Sequence, residues 1–385
     1  MRKKKICFIT GTRADYGILA PVMREVAECP FVELQIIATN MHLSPDYGMT
    51  ANEIENDGFK IDFRIESLDP GGTAAATVRS MAKVELGLAD AFETFRPDMV
   101  VILGDRYEAL AAASAAVVFD IPVAHLHGGE TTEGAIDDMF RHAITKLSTY
   151  HFASTQQYRE NIISMGEDRA HVFHSGAPGA EGYNLFLDPL SDIASEFYEK
   201  TGIKSGEEFI ILAYHPVTRL ADKGLSELIP LLQALDSFIA QGYKILATMP
   251  NSDPGTKEIG DTIRKWAATH PGKISLKESL GSKLFHYALD HAVAIVGNSS
   301  AALIEAPTHR LGAANIGIRQ KGRAKGLTVI DAGADKAKIE ETIHTLLSFE
   351  MKSVLMGLPV TSLNPYYKEN SSSFIASRLI KLLIK

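Results

Sequence analysis

The chain has 385 residues, enough for two domains that each bury a core of their own. A net charge of −8 argues against non-specific nucleic-acid binding, which needs a basic surface, though it leaves room for a locally positive site that takes an anionic small molecule. Two cysteines, Cys7 and Cys29, cannot build a disulfide framework or a thiolate metal site.

The opening Met-Arg-Lys-Lys-Lys is similar to the head of a secretion signal, but the apolar run behind it stops at Thr10 and Gly11. That is too short for a signal, and no later run approaches a membrane span. The expectation is a cytoplasmic protein with no membrane partner.

Short apolar runs alternate with amphipathic segments, the pattern of a parallel sheet covered by helices. In the first half strands are predicted at 5–9, 33–38, 99–103, 122–126, 150–153 and 171–173, with helices such as 78–95 and 107–119 between them. Residues 177–189, rich in Gly and Pro, read as a linker. The second half repeats the rhythm with strands at 209–213, 244–248, 273–276, 292–296 and 313–316. At the end, 371–385 places Ile375, Leu379, Leu382 and Leu383 at helical spacing, and the Asn364-Pro365 break would let this helix cross back onto the first domain. The predicted fold class is α/β, two doubly wound Rossmann-like domains facing across a cleft: residues 1–182, residues 183–365, and a closing helix over 366–385. In such sheets ligands sit at the carboxyl ends of the strands, so the loops there are searched for chemistry.

The first strand runs into Gly11-Thr12-Arg13-Ala14-Asp15-Tyr16-Gly17. This is neither the glycine motif of a dinucleotide fold nor a Walker loop, so nicotinamide and nucleoside-triphosphate chemistry lose support. Arg13 is placed to fork onto phosphate oxygens, the alternative being a surface pair with Asp15. Asp105 follows the third strand in Gly104-Asp105-Arg106, either as a base or as a helix cap.

The densest ionisable cluster follows the fourth strand: His125-Leu-His127-Gly128-Gly129-Glu130, then Glu133, Asp137, Asp138, Arg141 and His142. His127, Glu130 and Asp137 are candidates for a general acid and a general base. A His-x-His metal site is the rival. Against it, the glycine pair points to a ligand approaching the backbone.

His215 ends a strand of the second half as a phosphate donor or proton carrier, and Asn251 lies in the loop after the next. The run 294–305 is predicted to be a strand that ends at Gly297 and hands over to a helix capped by Asn298, Ser299 or Ser300. Its first N–H groups would face an anion. Glu305, seven residues after Asn298, would return to that face about two turns along, beside a hydroxylated group such as ribose. The alternative is an ordinary strand–helix turn with a surface Glu. Arg319 opens a short basic loop with Lys321 and Arg323, suited to a diphosphate or to a solvated charge cluster.

Taken in order, Gly11-Thr-Arg-Ala-Asp-Tyr16, Gly104-Asp-Arg106, Gly128-Gly-Glu130, Ile136-Asp-Asp138 with Arg141-His-Ala-Ile-Thr-Lys146, Gly297-Asn-Ser-Ser300 with Glu305, and Arg319-Gln320 with Gly322-Arg323 resemble the hydrolysing UDP-N-acetylglucosamine 2-epimerases. Asn364-Pro365-Tyr366 also fits, so the resemblance spans nearly the whole chain. It implies a glycosyltransferase-B-like fold with the active site between domains, neither metal nor nicotinamide cofactor, and a homodimer or homotetramer. It implies anti elimination of UDP across C1–C2 to a 2-acetamidoglycal, then hydration to N-acetylmannosamine, a step towards sialic-acid-type sugars. By the same resemblance Asp105 and Asp137 are the acid/base carboxylates, with Arg141 beside them. Arg13, His215, Ser299, Ser300 and Arg319 hold the diphosphate, Glu305 holds the ribose, and Asn251 and Asn298 lie at the nucleotide.

Two positions depart from the pattern. His127 stands where animal and some bacterial members carry a catalytic Glu, and Ile18 where many relatives carry a Lys. His127 would then take over proton transfer, or Glu130 or Glu133 would reach in. A close branch acts on UDP-N,N'-diacetylbacillosamine, and a UDP-sugar glycosyltransferase of the same fold is the other alternative.

Overall fold

The computed structural model describes residues 2–182 and 192–384. The described residues fall into two compact units. One runs to Thr131, resumes over residues 136–179 and takes in the chain from Lys368 onward; the second holds residues 132–135 and the chain from Ala180 to Tyr367.

The first unit carries β1 (Lys4–Thr10), β2 (Val32–Thr39), β3 (Phe63–Ile65), β4 (Met99–Leu103), β5 (Val123–Leu126), β6 (Tyr150–Ala153) and β7 (Val172–His174). They form one parallel sheet in the order β3-β2-β1-β4-β5-β6-β7. The strands are apolar on both faces because helices cover both. Ile6 and Phe8 pack with Leu19, Met23, Ile375 and Leu379 from helices Arg13–Ala27 and Ser371–Leu383. The alternate residues Cys7 and Ile9 face the other way, onto Val84, Leu88, Ala112 and Ala116 of helices Ala74–Phe95 and Tyr107–Val118. The terminal helix therefore belongs to the first unit.

The second unit carries β8 (Phe209–Ala213), β9 (Lys244–Thr248), β10 (Ile274–Lys277), β11 (Ala294–Gly297), β12 (Ala313–Ile316) and β13 (Val329–Gly333). Their order, β10-β9-β8-β11-β12-β13, repeats the reversal of the first sheet, and every pair is again parallel. Helix Leu225–Ala240 buries Leu228, Leu231, Leu235 and Phe238 against it. Both sheets are doubly wound, as the alternating pattern implies.

Three expectations need amendment. Strands β3 and β13 were not foreseen; both are edge strands, the first only three residues long with Arg64 at its centre. Of the predicted linker, Pro178–Ala180 forms a single 3-10 turn, and residues 183–189 lie outside the described residues. The helix after Gly297 has four residues, Ala301–Ile304, and a 3-10 turn, Ala306–His309, succeeds it. Pro307 has no N–H with which to continue the α-helix. Glu305 thus closes one turn and does not stand two turns along a helix from Asn298.

Candidate active site

In a doubly wound sheet the strand order reverses between two neighbours, and the crevice beyond their carboxyl ends takes ligand. In the first unit those neighbours are β1 and β4. Thr12 after β1 caps the helix Arg13–Ala27, accepting from Asp15 N at 3.2 Å, so Arg13 is the first helical residue. Gly104 after β4 turns with φ +76, and the cap position of helix Tyr107–Val118 falls to Arg106. Asp105 is therefore not the helix cap. Its carboxylate pairs with Arg141, a residue almost wholly buried.

Arg141 also donates from Nη1 to the backbone oxygen of Glu130 at 3.0 Å. It thereby ties the loop after β4 to the loop after β5. Asp137 opens the helix Asp137–Leu147 and stands four residues before Arg141, on the same face. A carboxylate in the first helical turn is favoured there by the helix dipole.

His127 follows β5 with a left-handed backbone, φ +64. Its Nδ1 lies 2.7 Å from Glu130 Oε1, and Ser154 Oγ donates to the same oxygen at 2.6 Å. Glu130 is fully buried. With ionised Glu130 accepting at Nδ1, the proton of neutral His127 sits on Nδ1 and the basic nitrogen is Nε2. A carboxylate orients an imidazole for proton transfer in this way.

His125 does not share this role. Its Nε2 donates to Gly104 O at 2.6 Å while Nδ1 faces Thr145 Oγ1 at 3.4 Å, and burial pushes its pKa down to about 3. It is a neutral strut under the turn that bears Asp105. The turn of the backbone at His127 takes the two rings out of strand alternation, and among the described residues no three His, Cys, Asp or Glu form a metal-binding group. The glycine pair has a packing reason. A Cβ at Gly128 would meet His125 and Thr145, and one at Gly129 would meet Tyr158 O and Ile162. Protein atoms fill the space that a side chain would take at both glycines.

Sequence reasoning missed Glu108. It is buried, takes Arg106 Nε at 2.6 Å, and lies against Gly11, whose missing side chain makes the room. Asp15 stands near this pair. Burial, opposed by Arg106 and reinforced by Glu108, raises its carboxyl to about 7.

In the second unit the reversal lies between β8 and β11. Gly297 ends β11 at φ +132, and a Cβ there would overlap the carbonyl of Ala213, so no other residue fits. Asn298 then clamps the two loops. Its Oδ1 accepts from His215 N at 2.7 Å and its Nδ2 donates to His215 O at 2.8 Å. Its own backbone oxygen takes Arg319 Nη1 at 3.0 Å and Gln320 Nε2 at 2.7 Å. His215, Asn298 and Arg319, far apart in sequence, are thus one hydrogen-bonded group. Ser299 Oγ accepts from Ala301 N at 3.3 Å; Ser300 takes the cap position without a side-chain bond.

Glu227 is a second residue the sequence did not flag. Its carboxyl, raised by burial, accepts Ile318 N at 3.2 Å and lies against Gly317, which sets the loop that carries Arg319. Lys321 pairs with Glu133 at 2.7 Å on the surface, and Arg219 holds the Glu133 carbonyl at 2.8 Å. Glu133 is engaged with this loop and groups with the second unit. Asn251 lies in the loop after β9, its carbonyl accepting from Thr256 Oγ1. Burial pushes the Glu305 carboxyl up to about 7, and His286 Nε2 lies 3.8 Å from its Oε1.

Comparison with known proteins gives the family. The hydrolysing UDP-N,N'-diacetylbacillosamine 2-epimerase of Legionella pneumophila is 37% identical over 332 residues, 85% of each chain. The hydrolysing GDP/UDP-N,N'-diacetylbacillosamine 2-epimerase of Campylobacter jejuni is 35% identical over 353 residues, 91% of this chain and 90% of that one. Among solved structures, the UDP-GlcNAc 2-epimerase of Neisseria meningitidis bound to UDP-GlcNAc superposes with a TM-score of 0.79 at 19% identity, over 98% of this chain and 100% of that one. The family model described as UDP-N-acetylglucosamine 2-epimerase matches residues 24–380, and the chain belongs to that family.

Proposed function

We propose that the protein is a hydrolysing 2-epimerase of a UDP-linked 2-acetamido sugar. The observation that carries this is the buried network Asp105–Arg141–Glu130–His127–Ser154 at the ends of β4 and β5. A glycosyl transfer to a neutral acceptor has less use for so many acid/base groups. An elimination followed by hydration needs a base at C2, a proton returned there from the opposite face, and activation of water for C1.

In the first half-reaction a base removes the C2 proton, the C1–O bond to UDP breaks, and a C1=C2 double bond forms. In the second, water adds its oxygen to C1 and a proton arrives at C2, releasing the free sugar inverted at C2. Asp105 and Asp137 act as the acid/base carboxylates, and His127 Nε2 carries a proton in place of the family's Glu. Glu130 holds that ring and Arg141 sets Asp105. Developing charge on the leaving diphosphate is met by Arg13, His215, Ser299, Ser300 and Arg319. Glu305 takes the ribose, Asn251 lines the nucleotide, and Asn298 acts through His215 and Arg319.

For the sugar, the 35% and 37% identical relatives favour UDP-N,N'-diacetylbacillosamine. UDP-N-acetylglucosamine, which would yield N-acetylmannosamine, is the second reading and follows the family's description. Each sugar nucleotide is incubated with the protein in deuterated water and followed by NMR. Release of UDP with a free 2-epimer deuterated at C2 is the expected result. Unchanged sugar nucleotide without exchange, for both, would overturn the reading, and a larger kcat/KM for one identifies the substrate.

A further inference from the structure

Glu305 stands where the chain passes from the α-helical turn Ala301–Ile304 into the 3-10 turn Ala306–His309. Thr308 N, which an α-helix would give to Ile304 O, goes instead to Glu305 O at 3.1 Å. The carbonyl of Ile304, a buried residue, is thereby left without a helical donor. Asn364 supplies one from far along the chain. Its Nδ2 donates to Ile304 O at 2.8 Å and to Thr308 Oγ1 at 2.9 Å, and Thr308 Oγ1 donates onward to Ala180 O at 2.7 Å. One amide thus grips the residue before Glu305 and the residue three after it.

The same segment reaches the basic loop. The helix Val360–Leu363 ends before Pro365, and Asn364 is extended at φ −126 and ψ 106, as the residue before a proline prefers. Its Oδ1 accepts from Tyr366 N at 3.0 Å, a turn that leaves the Tyr366 ring fully buried. The Tyr366 hydroxyl donates to Ala324 O at 3.0 Å, directly after the run that carries Arg319, Lys321 and Arg323. Gly326 allows this approach, since a Cβ there would overlap Leu363 O and press on Pro365. Asn364 is as buried as Tyr366, so water does not compete for these bonds.

We propose that Asn364 and Tyr366 are positioning residues for the nucleotide: Asn364 fixes the backbone on both sides of Glu305 for the ribose hydroxyls, and Tyr366 fixes the basic loop for the diphosphate. The inference rests on the nucleotide reading given above and deepens it. A carboxylate that meets two hydroxyls tolerates little drift, because a hydrogen bond weakens steeply away from its geometry. Four α-helical residues and one 3-10 turn hold Glu305 poorly by themselves. The basic loop is held at its start, where Glu227 takes Ile318 N and Asn298 O takes Arg319 and Gln320. Tyr366 holds its end.

The test compares UDP with 2′-deoxy-UDP by calorimetry at pH 8.5, above the value of about 7 to which burial raises Glu305. The wild type should favour UDP by about tenfold or more, the value of a hydrogen bond to a charged group. Asn364→Ser keeps an acceptor for Tyr366 N and gives up the bond to Ile304 O. Its preference for UDP should fall at least about threefold while 2′-deoxy-UDP binds nearly as before. Thr308→Val, similar in shape, removes the far grip and should show the same fall; it serves if Asn364→Ser folds poorly. Thr308→Ser keeps the hydroxyl and should keep the preference. Tyr366→Phe keeps the ring and loses the bond to Ala324 O. It should weaken both nucleotides alike, by about threefold or more, with the preference intact. A smaller fall in preference in Asn364→Ser and Thr308→Val overturns the grip on Glu305, and a smaller loss of affinity in Tyr366→Phe overturns the hold on the loop; the nucleotide reading survives either. A wild type that binds UDP without preference, or not at all, overturns that reading and the inference with it.

Discussion

His127 and Glu130 are three residues apart, yet they meet because the backbone at His127 is left-handed, which brings Nδ1 to 2.7 Å from Glu130 Oε1. Glu130 is fully buried and also receives Ser154 Oγ at 2.6 Å, so its position is set from two sides. Glu130→Gln keeps the shape and one acceptor but removes the charge that stabilises His127 when it takes a proton. The expected outcome is a kcat lower by about 10²–10⁴, the ordinary share of a general acid or base, with KM within about threefold. UDP release under saturating substrate measures it. A kcat within about fivefold of wild type would refute the dyad's role.

Asp105→Asn separates chemistry from nucleotide binding. The amide cannot accept a proton, so turnover should be lost while the dissociation constant for UDP stays within about threefold. The same change takes from Arg141, almost wholly buried, its ion pair with Asp105. Breaking a fully buried pair costs about 3–5 kcal/mol, but Asp105 is partly exposed and solvent moderates the loss, so about 1–3 kcal/mol is expected by urea unfolding. Full activity in this variant would exclude Asp105 from the reaction.

Stability should carry the mark of Asp15. Burial raises its folded pKa to about 7 from an ordinary value of 3.8. Between those values the folded protein holds a proton that the unfolded chain has released, so stability declines as pH rises from about 4 to about 7. Asp15→Asn removes the penalty. Its melting temperature should match wild type near pH 4 and exceed it by several degrees at pH 8, about 2–4 °C for each kcal/mol regained. Scanning calorimetry at the two pH values checks this, and equal shifts at both would rule out titration of Asp15 as the cause.

Most of this fold is legible because buried parallel strands are unbroken apolar runs. β4, Met-Val-Val-Ile-Leu, and β8, Phe-Ile-Ile-Leu-Ala, have the same ends in sequence and structure. The edge strands are not, since β3 is Phe-Arg-Ile and β13 holds Asp331. An edge strand buries too little to require a pure apolar pattern. Loop residues such as Asp105 and Arg141 stand out by position, but the groups behind them do not. Glu108 and Glu227 read as the polar side of a helix, and only the third dimension brings them beneath Gly11 and Gly317. The setting of Glu305 was hidden for a related reason. His286 precedes it by 19 residues in one helix, and a turn created by Pro307 follows it where a longer helix was expected.

The clamp between β8 and β11 supports the remaining prediction. Asn298 is fully buried and its amide satisfies both backbone groups of His215, while its carbonyl receives Arg319 and Gln320. Asn298→Ala leaves the N–H and C=O of His215 without these partners, at about 1–3 kcal/mol for each group that water does not reach. The carbonyl contacts are backbone and survive, so Arg319 stays anchored while His215 loosens. UDP affinity should fall by about tenfold and stability by about 2–4 kcal/mol. Asn298→Asp keeps the acceptor for His215 N but sets a buried negative charge against His215 O and beside the diphosphate, so its loss of affinity should be larger. Calorimetric titration of both variants with UDP decides the matter. A UDP affinity within about threefold of wild type in Asn298→Ala would show that the clamp on His215 does not serve the nucleotide.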